Sequence, residues 1–120
     1  MAKVLVVDDV ATELALLSDT LAGCGHEVVT ASNGQQCLDC VAQVAPDIIL
    51  LDVVMPEMDG FATCRSLKKR DDVKDIPVIM VTSKSGSSDE FWGKRQGAAE
   101  YITKPFSPQT VIDAVNRLLG

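Results

Sequence analysis

Histidine, aromatic residues and positive charge are scarce in this sequence of 120 residues. It has one histidine and one tryptophan, and 11 lysines and arginines stand against 17 aspartates and glutamates, for a formal net charge of −6. Few cations are available to displace counterions from a phosphate backbone, so we expect neither nucleic acid nor an anionic membrane as a partner. The single histidine, His26, disfavours a zinc or copper centre, and we expect it to be an exposed loop residue.

Long apolar runs are also absent. The first run, residues 4–7, is followed at once by Asp8, whereas a membrane span needs about 20 apolar residues. We therefore expect a cytoplasmic protein whose cysteines stay reduced. Cys37 and Cys40 fit the apolar stripe of a predicted helix and its edge, which predicts core packing rather than a redox pair. The other two cysteines are Cys24 and Cys64.

What the sequence does contain is an alternation of short apolar runs and longer amphipathic segments, without repeats or linkers. Apolar runs predict buried parallel strands at residues 4–7, 48–51 and 78–81, and weaker patterns predict two more at 28–31 and 100–103. The segments between them have helical spacing. This predicts one α/β domain over residues 1–120, a doubly wound parallel sheet of five strands flanked by five helices, with no separate output domain.

Capping signals predict where three of the helices begin. Asn33, Ser88 and Ser107 precede amphipathic segments, and a proline follows Ser107 at the first helical position. The helix after Ser88 has the weakest pattern, with little more than Phe91 and Trp92 on its apolar side.

Polar residues follow four of the predicted strands, at the edge where open α/β sheets bind ligands. Two unit charges about 4 Å apart repel by roughly 4 kcal/mol at an effective dielectric near 20, so three clustered carboxylates need a proton or a cation. Mg²⁺ accepts carboxylate, water and phosphate oxygens, and Mn²⁺ suits the same ligands. With a lysine and a hydroxyl beside the metal, the set has the parts of a phosphoryl-transfer site. The residues are Asp8, Asp9, Asp52, Thr82 and Lys104.

Four motifs give the whole chain a resemblance to the receiver domains of response regulators, the CheY-like family. They are VLVVDD at residues 4–9, PDIILLDVVMPEMDG at 46–60, IPVIMVT at 76–82 and GAAEYITKPF at 97–106. The resemblance implies a flavodoxin-like fold with strand order 2-1-3-4-5 and a function in a two-component phosphorelay.

The same resemblance implies the acceptor and the metal ligands. Asp52 would take a phosphoryl group from the phosphohistidine of a sensor histidine kinase or a histidine phosphotransfer domain. Mg²⁺ would be held by Asp8, Asp9, Asp52 and the backbone carbonyl of Val54. The protein would catalyse only its own phosphorylation and dephosphorylation.

It also implies how the signal would leave the site. Thr82 and Lys104 would bind the phosphoryl group, and Tyr101 would turn inward as Thr82 moves toward it. The Lys104–Pro105 bond would be cis. The phosphorylated domain would then dock to a downstream target protein or act as a phosphate sink, as a monomer or weak dimer.

A narrower resemblance lies in the run WGKRQGA at residues 92–98. It is similar to the PilH-like group, single-domain regulators of chemosensory systems for type IV pili or phototactic motility. We predict a partner-docking face that includes Trp92, Lys94, Arg95 and Tyr101. The alternative is that Trp92 lies flat on the core beside two cations that extend into solvent.

Two flanking residues are candidates for tuning hydrolysis of the phosphorylated form. Val54 lies two residues after Asp52, and Lys84 two after Thr82. The Val54 side chain offers no hydrogen bond to an attacking water, which predicts moderately slow self-dephosphorylation.

Other interpretations compete with the receiver. Each polar residue alone could be a solvated loop residue, and Asp9 could cap the following helix. A haloacid dehalogenase-type phosphatase also uses Mg²⁺ and an aspartate nucleophile, but needs a second aspartate where Val10 stands. A flavodoxin-like nucleotide carrier needs a Ser/Thr- or Gly-rich phosphate loop after the first strand, where this chain has two aspartates. Neither rival explains Asp52, Thr82 and Lys104 together.

Overall fold

The five apolar runs form the strands of one parallel sheet. The computed structural model describes residues 2–120. The strands are β1 (Lys3–Val7), β2 (Glu27–Ala31), β3 (Ile48–Leu51), β4 (Val78–Thr82) and β5 (Glu100–Thr103). The helices are α1 (Ala11–Ala22), α2 (Gly34–Val44), α3 (Gly60–Lys68), α4 (Ser87–Arg95) and α5 (Pro108–Leu119). All five predicted strands are confirmed to within one residue at each end.

The strand order is β2-β1-β3-β4-β5, and every neighbouring pair is parallel, as the resemblance implies. Alternate residues of a strand face opposite sides of the sheet, so the apolar strands supply two cores. Leu5 and Ile49 face the core under α2 and α3. Val6 and Leu50 face the core under α1 and α5. The sheet is therefore covered on both sides, as predicted.

Two of the three predicted caps are confirmed. The Asn33 side chain accepts a hydrogen bond from the backbone N–H of Gln36, and Ser107 accepts one from Thr110. The prediction for Ser88 is wrong, because Gly86, two residues earlier, occupies the N-cap position of α4 and provides no side-chain cap.

At the start of α1 the structure settles the alternative assignment for Asp9. Val10 occupies the N-cap position, with no side-chain cap bond, so Asp9 does not cap the helix. Helix α3 has a cap that was not predicted from the sequence, since the Asp59 side chain accepts a hydrogen bond from the N–H of Ala62 at 2.8 Å.

Helix α4 is the least buried of the helices, and Gly93 is its one buried residue. Phe91 is 66% and Trp92 45% exposed. Almost half of the Trp92 surface is thus open to solvent, which favours the predicted docking face over a core position.

The predicted core packing of Cys37 and Cys40 is confirmed. Cys37 and Cys64 are buried in the core under α2 and α3, and Cys40 packs against it. Burial raises the pKa of Cys37 to about 12 and that of Cys64 to about 11, so both stay protonated and unreactive at neutral pH.

His26 departs from its expected position in an exposed loop. It is half-buried just before β2, and its Nδ1 accepts a hydrogen bond from the N–H of Ala2 at 3.1 Å. Among residues 2–120, no helix combines the length and apolar character that a membrane span requires.

Candidate functional site

Three carboxylates and one ammonium meet at the carboxyl edge of the sheet. Lys104 Nζ lies 2.8 Å from Asp8 Oδ2, 3.1 Å from Glu13 Oε2 and 3.5 Å from Asp52 Oδ2. Asp8 and Asp52 are only 1% and 5% exposed. Parallel strands bring Asp8, Asp52 and Lys104 together, because these residues directly follow β1, β3 and β5, whose carboxyl ends lie at this edge of the sheet.

Backbone N–H groups fix the two buried carboxylates. Asp8 Oδ1 accepts a hydrogen bond from the N–H of Val10 at 2.9 Å, and Asp52 Oδ1 accepts one from Val54 at 3.2 Å. Gly60 approaches so closely that a Cβ there would overlap the backbone of Asp52, so the loop between β3 and α3 folds back tightly on the site. Both carboxylates are thus held by local backbone as well as by Lys104.

Burial and charge shift the acid–base behaviour of the site. Burial raises the pKa of Asp52, and the Asp8 carboxylate raises it further, while Lys104 partly offsets both. Burial lowers the pKa of Lys104, but its contacts with Asp8, Glu13 and Asp52 outweigh that effect, so its pKa is raised overall. The raised pKa favours the protonated form of Lys104, and the charge of Lys104 favours the ionised form of Asp52.

The donor set fits a hard divalent cation. Asp8, Glu13 and Asp52 each place a carboxylate oxygen within 4.8 Å of the others. These are the oxygen ligands that Mg²⁺ prefers, and nothing in this set suits a softer metal.

Glu13 was missed by the sequence analysis, and Asp9 lies elsewhere than the other acids. Glu13 lies in the first turn of α1, where neither a strand end nor one of the four motifs marks it. The Asp9 side chain is exposed and is not part of the three-carboxylate group.

Thr82 and Tyr101 are linked through the loop after β4. Thr82 is fully buried, and its Oγ1 accepts a hydrogen bond from the N–H of Lys84 at 3.3 Å. The Tyr101 hydroxyl donates a hydrogen bond to the backbone carbonyl of Lys84 at 2.6 Å. Burial, Asp89 and Glu90 together raise the pKa of Tyr101 to about 12, so the hydroxyl keeps its proton for this bond.

The residues predicted for a partner face lie at the α4–β5 edge. Trp92, Lys94 and Arg95 are exposed, and Tyr101 is half-buried. Lys94 pairs with Glu90 across one turn at 3.2 Å. The surface thus combines apolar side chains with charges of both signs.

The other predicted positions also have the expected environment. The Val54 side chain and Lys84 are exposed, and the Lys104–Pro105 bond is cis, as the resemblance implies.

Similar proteins of known family support the same interpretation of this site as the geometry does. Residues 4–116 match the family model described as the response regulator receiver domain. The chain is 43% identical over 120 residues to Protein PilH of Pseudomonas aeruginosa, covering 100% of this chain and 99% of that protein. It is 41% identical over 117 residues to the response regulator PleD of Caulobacter vibrioides, covering 98% of this chain but 26% of PleD.

A solved structure of similar shape is the Vibrio cholerae chemotaxis protein CheY4, with a TM-score of 0.92, 35% identity and 98% of each chain covered. These matches give no support to the phosphatase alternative. The chain belongs to the response regulator receiver domain family, the signalling domains of two-component phosphorelays.

Proposed function

We propose that Asp52 is the phosphoacceptor of this receiver. The observation that carries the proposal is the buried Asp52 carboxylate facing the Lys104 ammonium at 3.5 Å, at the end of the central strand. An Asp52 oxygen would attack the phosphorus of a phosphohistidine on a sensor kinase or phosphotransfer domain. The P–N bond would break, and its electron pair would return to the imidazole. The protein would catalyse only this transfer and the later loss of phosphate.

Receiver domains bind Mg²⁺ at their acidic pocket. In this chain we propose that Asp8, Asp9, Asp52 and the backbone carbonyl of Val54 would hold the Mg²⁺ ion. When bound, the ion would neutralise charge on the phosphoryl oxygens, and Mn²⁺ would serve similarly. Lys104 supplies the second cation, as its raised pKa keeps it protonated.

Thr82 and Tyr101 form the proposed switch. A phosphoryl group on Asp52 offers an acceptor to the Thr82 hydroxyl, whose oxygen now accepts from the N–H of Lys84. Moving Thr82 would disturb the loop whose carbonyl holds Tyr101. Moving such an equilibrium from mostly one state to mostly the other takes about 5 kcal/mol of differential contact.

The exposed surface around Trp92, Lys94, Arg95 and Tyr101 is the proposed docking face for a downstream protein. Similarity to PilH and to a chemotaxis protein supports a role in motility or chemosensory control. A phosphate sink is the second candidate, because the same site would drain phosphoryl groups without any target. A cytoplasmic location and a monomeric or weakly dimeric state stay predictions.

Intact mass after incubation with acetyl phosphate and Mg²⁺ tests the phosphoacceptor. We expect a gain of one phosphoryl group that hydroxylamine removes, as befits an acyl phosphate. Asp52→Ala should lose the gain, while Asp75→Asn, an exposed acid outside the site, should keep it. An adduct that survives in Asp52→Ala, or turnover of a phosphomonoester without an adduct, would overturn the proposal.

A further inference from the structure

Glu13 is the one member of the acidic group that the proposed chemistry does not use. Its Oε2 lies 3.1 Å from Lys104 Nζ, closer than the 3.5 Å between Lys104 and Asp52. Its side chain is 39% exposed, so it approaches the buried ammonium from the solvent side. Lys104 is therefore shared between the proposed acceptor and a carboxylate that accepts no backbone hydrogen bond from residues 2–120.

We infer that Glu13 is a positioning residue that competes with the phosphoryl group on Asp52 for Lys104. This inference rests on the proposed function. A phosphoryl group must draw Lys104 toward itself, and Glu13 is placed to draw it the other way. Glu13 would thereby favour the unphosphorylated state and shorten the life of the phosphorylated one.

Charge supports the same direction. The oxygens of Glu13 and Asp52 lie within 4.8 Å of each other. A phosphoryl group extending from Asp52 would add negative charge near Glu13, and like charges at such distances repel strongly when partly buried. Both effects of Glu13, holding Lys104 and repelling the new anion, oppose phosphorylation.

The competing role for Glu13 is that of an additional metal ligand, and it predicts effects of opposite sign. Replacing a ligand would weaken Mg²⁺ binding and, with it, the binding of an anion that depends on the metal. Replacing a competitor would tighten anion binding. The sign of the change in anion affinity therefore separates the two roles.

The test uses Glu13→Gln, which keeps the shape and removes the charge. Asp19→Asn is the matched control, because Asp19 is an exposed acid on the same helix. Beryllofluoride, a non-covalent mimic of the phosphoryl group, is titrated into the Mg²⁺-saturated protein by calorimetry. We expect Glu13→Gln to bind it about fivefold more tightly, the upper range for one partly exposed ion pair. The phosphorylated form, followed by intact mass, should also last several-fold longer, and Asp19→Asn should match the wild type.

Ionic strength gives a readout that a purely structural role would not move. The difference in beryllofluoride affinity between Glu13→Gln and wild type should shrink at high ionic strength, since a partly exposed charge is screened. Weaker beryllofluoride binding in Glu13→Gln, or an affinity equal to that of Asp19→Asn, would overturn the inference while leaving Asp52 as the acceptor. A wild type that takes up neither beryllofluoride nor a phosphoryl group would overturn the proposed function and this inference together.

Discussion

The central strands and the α4–β5 edge are packed to very different degrees. The residues of β3 and the middle of β1 are fully buried, with an exposed fraction of 0%. Helix α4 buries only Gly93 and leaves two aromatic side chains in solvent. The proposed acceptor follows the buried strand β3, while Tyr101 and Trp92 lie at the loosely packed edge. A rigid region can hold reacting groups in place, and a weakly packed one can move at low cost in free energy.

The largest expected effect comes from cutting into the buried region. Leu50→Ala should lower the free energy of unfolding by about 3 kcal/mol, because it leaves a cavity in the core under α1 and α5. Phe91→Ala, on the exposed side of α4, should change it by less than about 0.5 kcal/mol. Urea unfolding of both variants measures the contrast, and similar losses would show that the two regions are equally packed.

The second effect probes the one tight contact of α4. At Gly93 a Cβ would lie 2.8 Å from Met80 Sδ and 2.9 Å from Tyr101 Cδ1. Alanine gains about 1 kcal/mol in helix propensity, but crowding costs about 1–3 kcal/mol. We expect Gly93→Ala to be destabilised by about 1 kcal/mol and to displace the Tyr101 ring, which the ring signals in NMR spectra would report. A variant more stable than wild type, with unmoved ring signals, would mean that α4 has room to spare.

The third effect concerns the free energy of unfolding that is lost because the Asp52 carboxylate is buried beside that of Asp8. Folding raises the pKa of Asp52 above its ordinary 3.8, so the folded state favours the protonated form. Stability is therefore lost as pH rises through the folded-state value, and an asparagine avoids that loss. Asp52→Asn should therefore be more stable than the wild type at pH 7. The gain should disappear below the ordinary pKa, where both states are protonated.

Thermal unfolding from pH 3 to pH 8 tracks this gain. An Asp52→Asn gain that persists at pH 3 would point to packing rather than charge.

The smallest expected effect is kinetic. The Val54 side chain is 49% exposed, so replacing it costs little packing. An amide there could hydrogen-bond an attacking water, and one such bond is worth about 0.5–1.5 kcal/mol. Val54→Asn should hydrolyse its acyl phosphate about fivefold faster, and Val54→Ala should not. The decay of the phosphorylated mass, with Lys84→Ala followed in parallel, measures both flanking positions.

The sequence predicted the rigid region well and the loose edge poorly. Buried parallel strands have uninterrupted apolar sequences, so the bounds of these strands and the residues at their ends could be predicted. Helix α4 carries no comparable pattern, and the N-cap predicted at Ser88 was wrong. Glu13 was missed because its contact with Lys104 joins residues far apart in the chain, which local patterns do not encode.

Hydrogen exchange with and without beryllofluoride and Mg²⁺ tests the division between the two regions most directly. If the site is held rigidly and the response is carried at the loose edge, amide protection should change in residues 83–101. The amides of β1 and β3 should keep their protection. Equal changes across both regions, or changes in β1 and β3 with none in α4, would contradict the account.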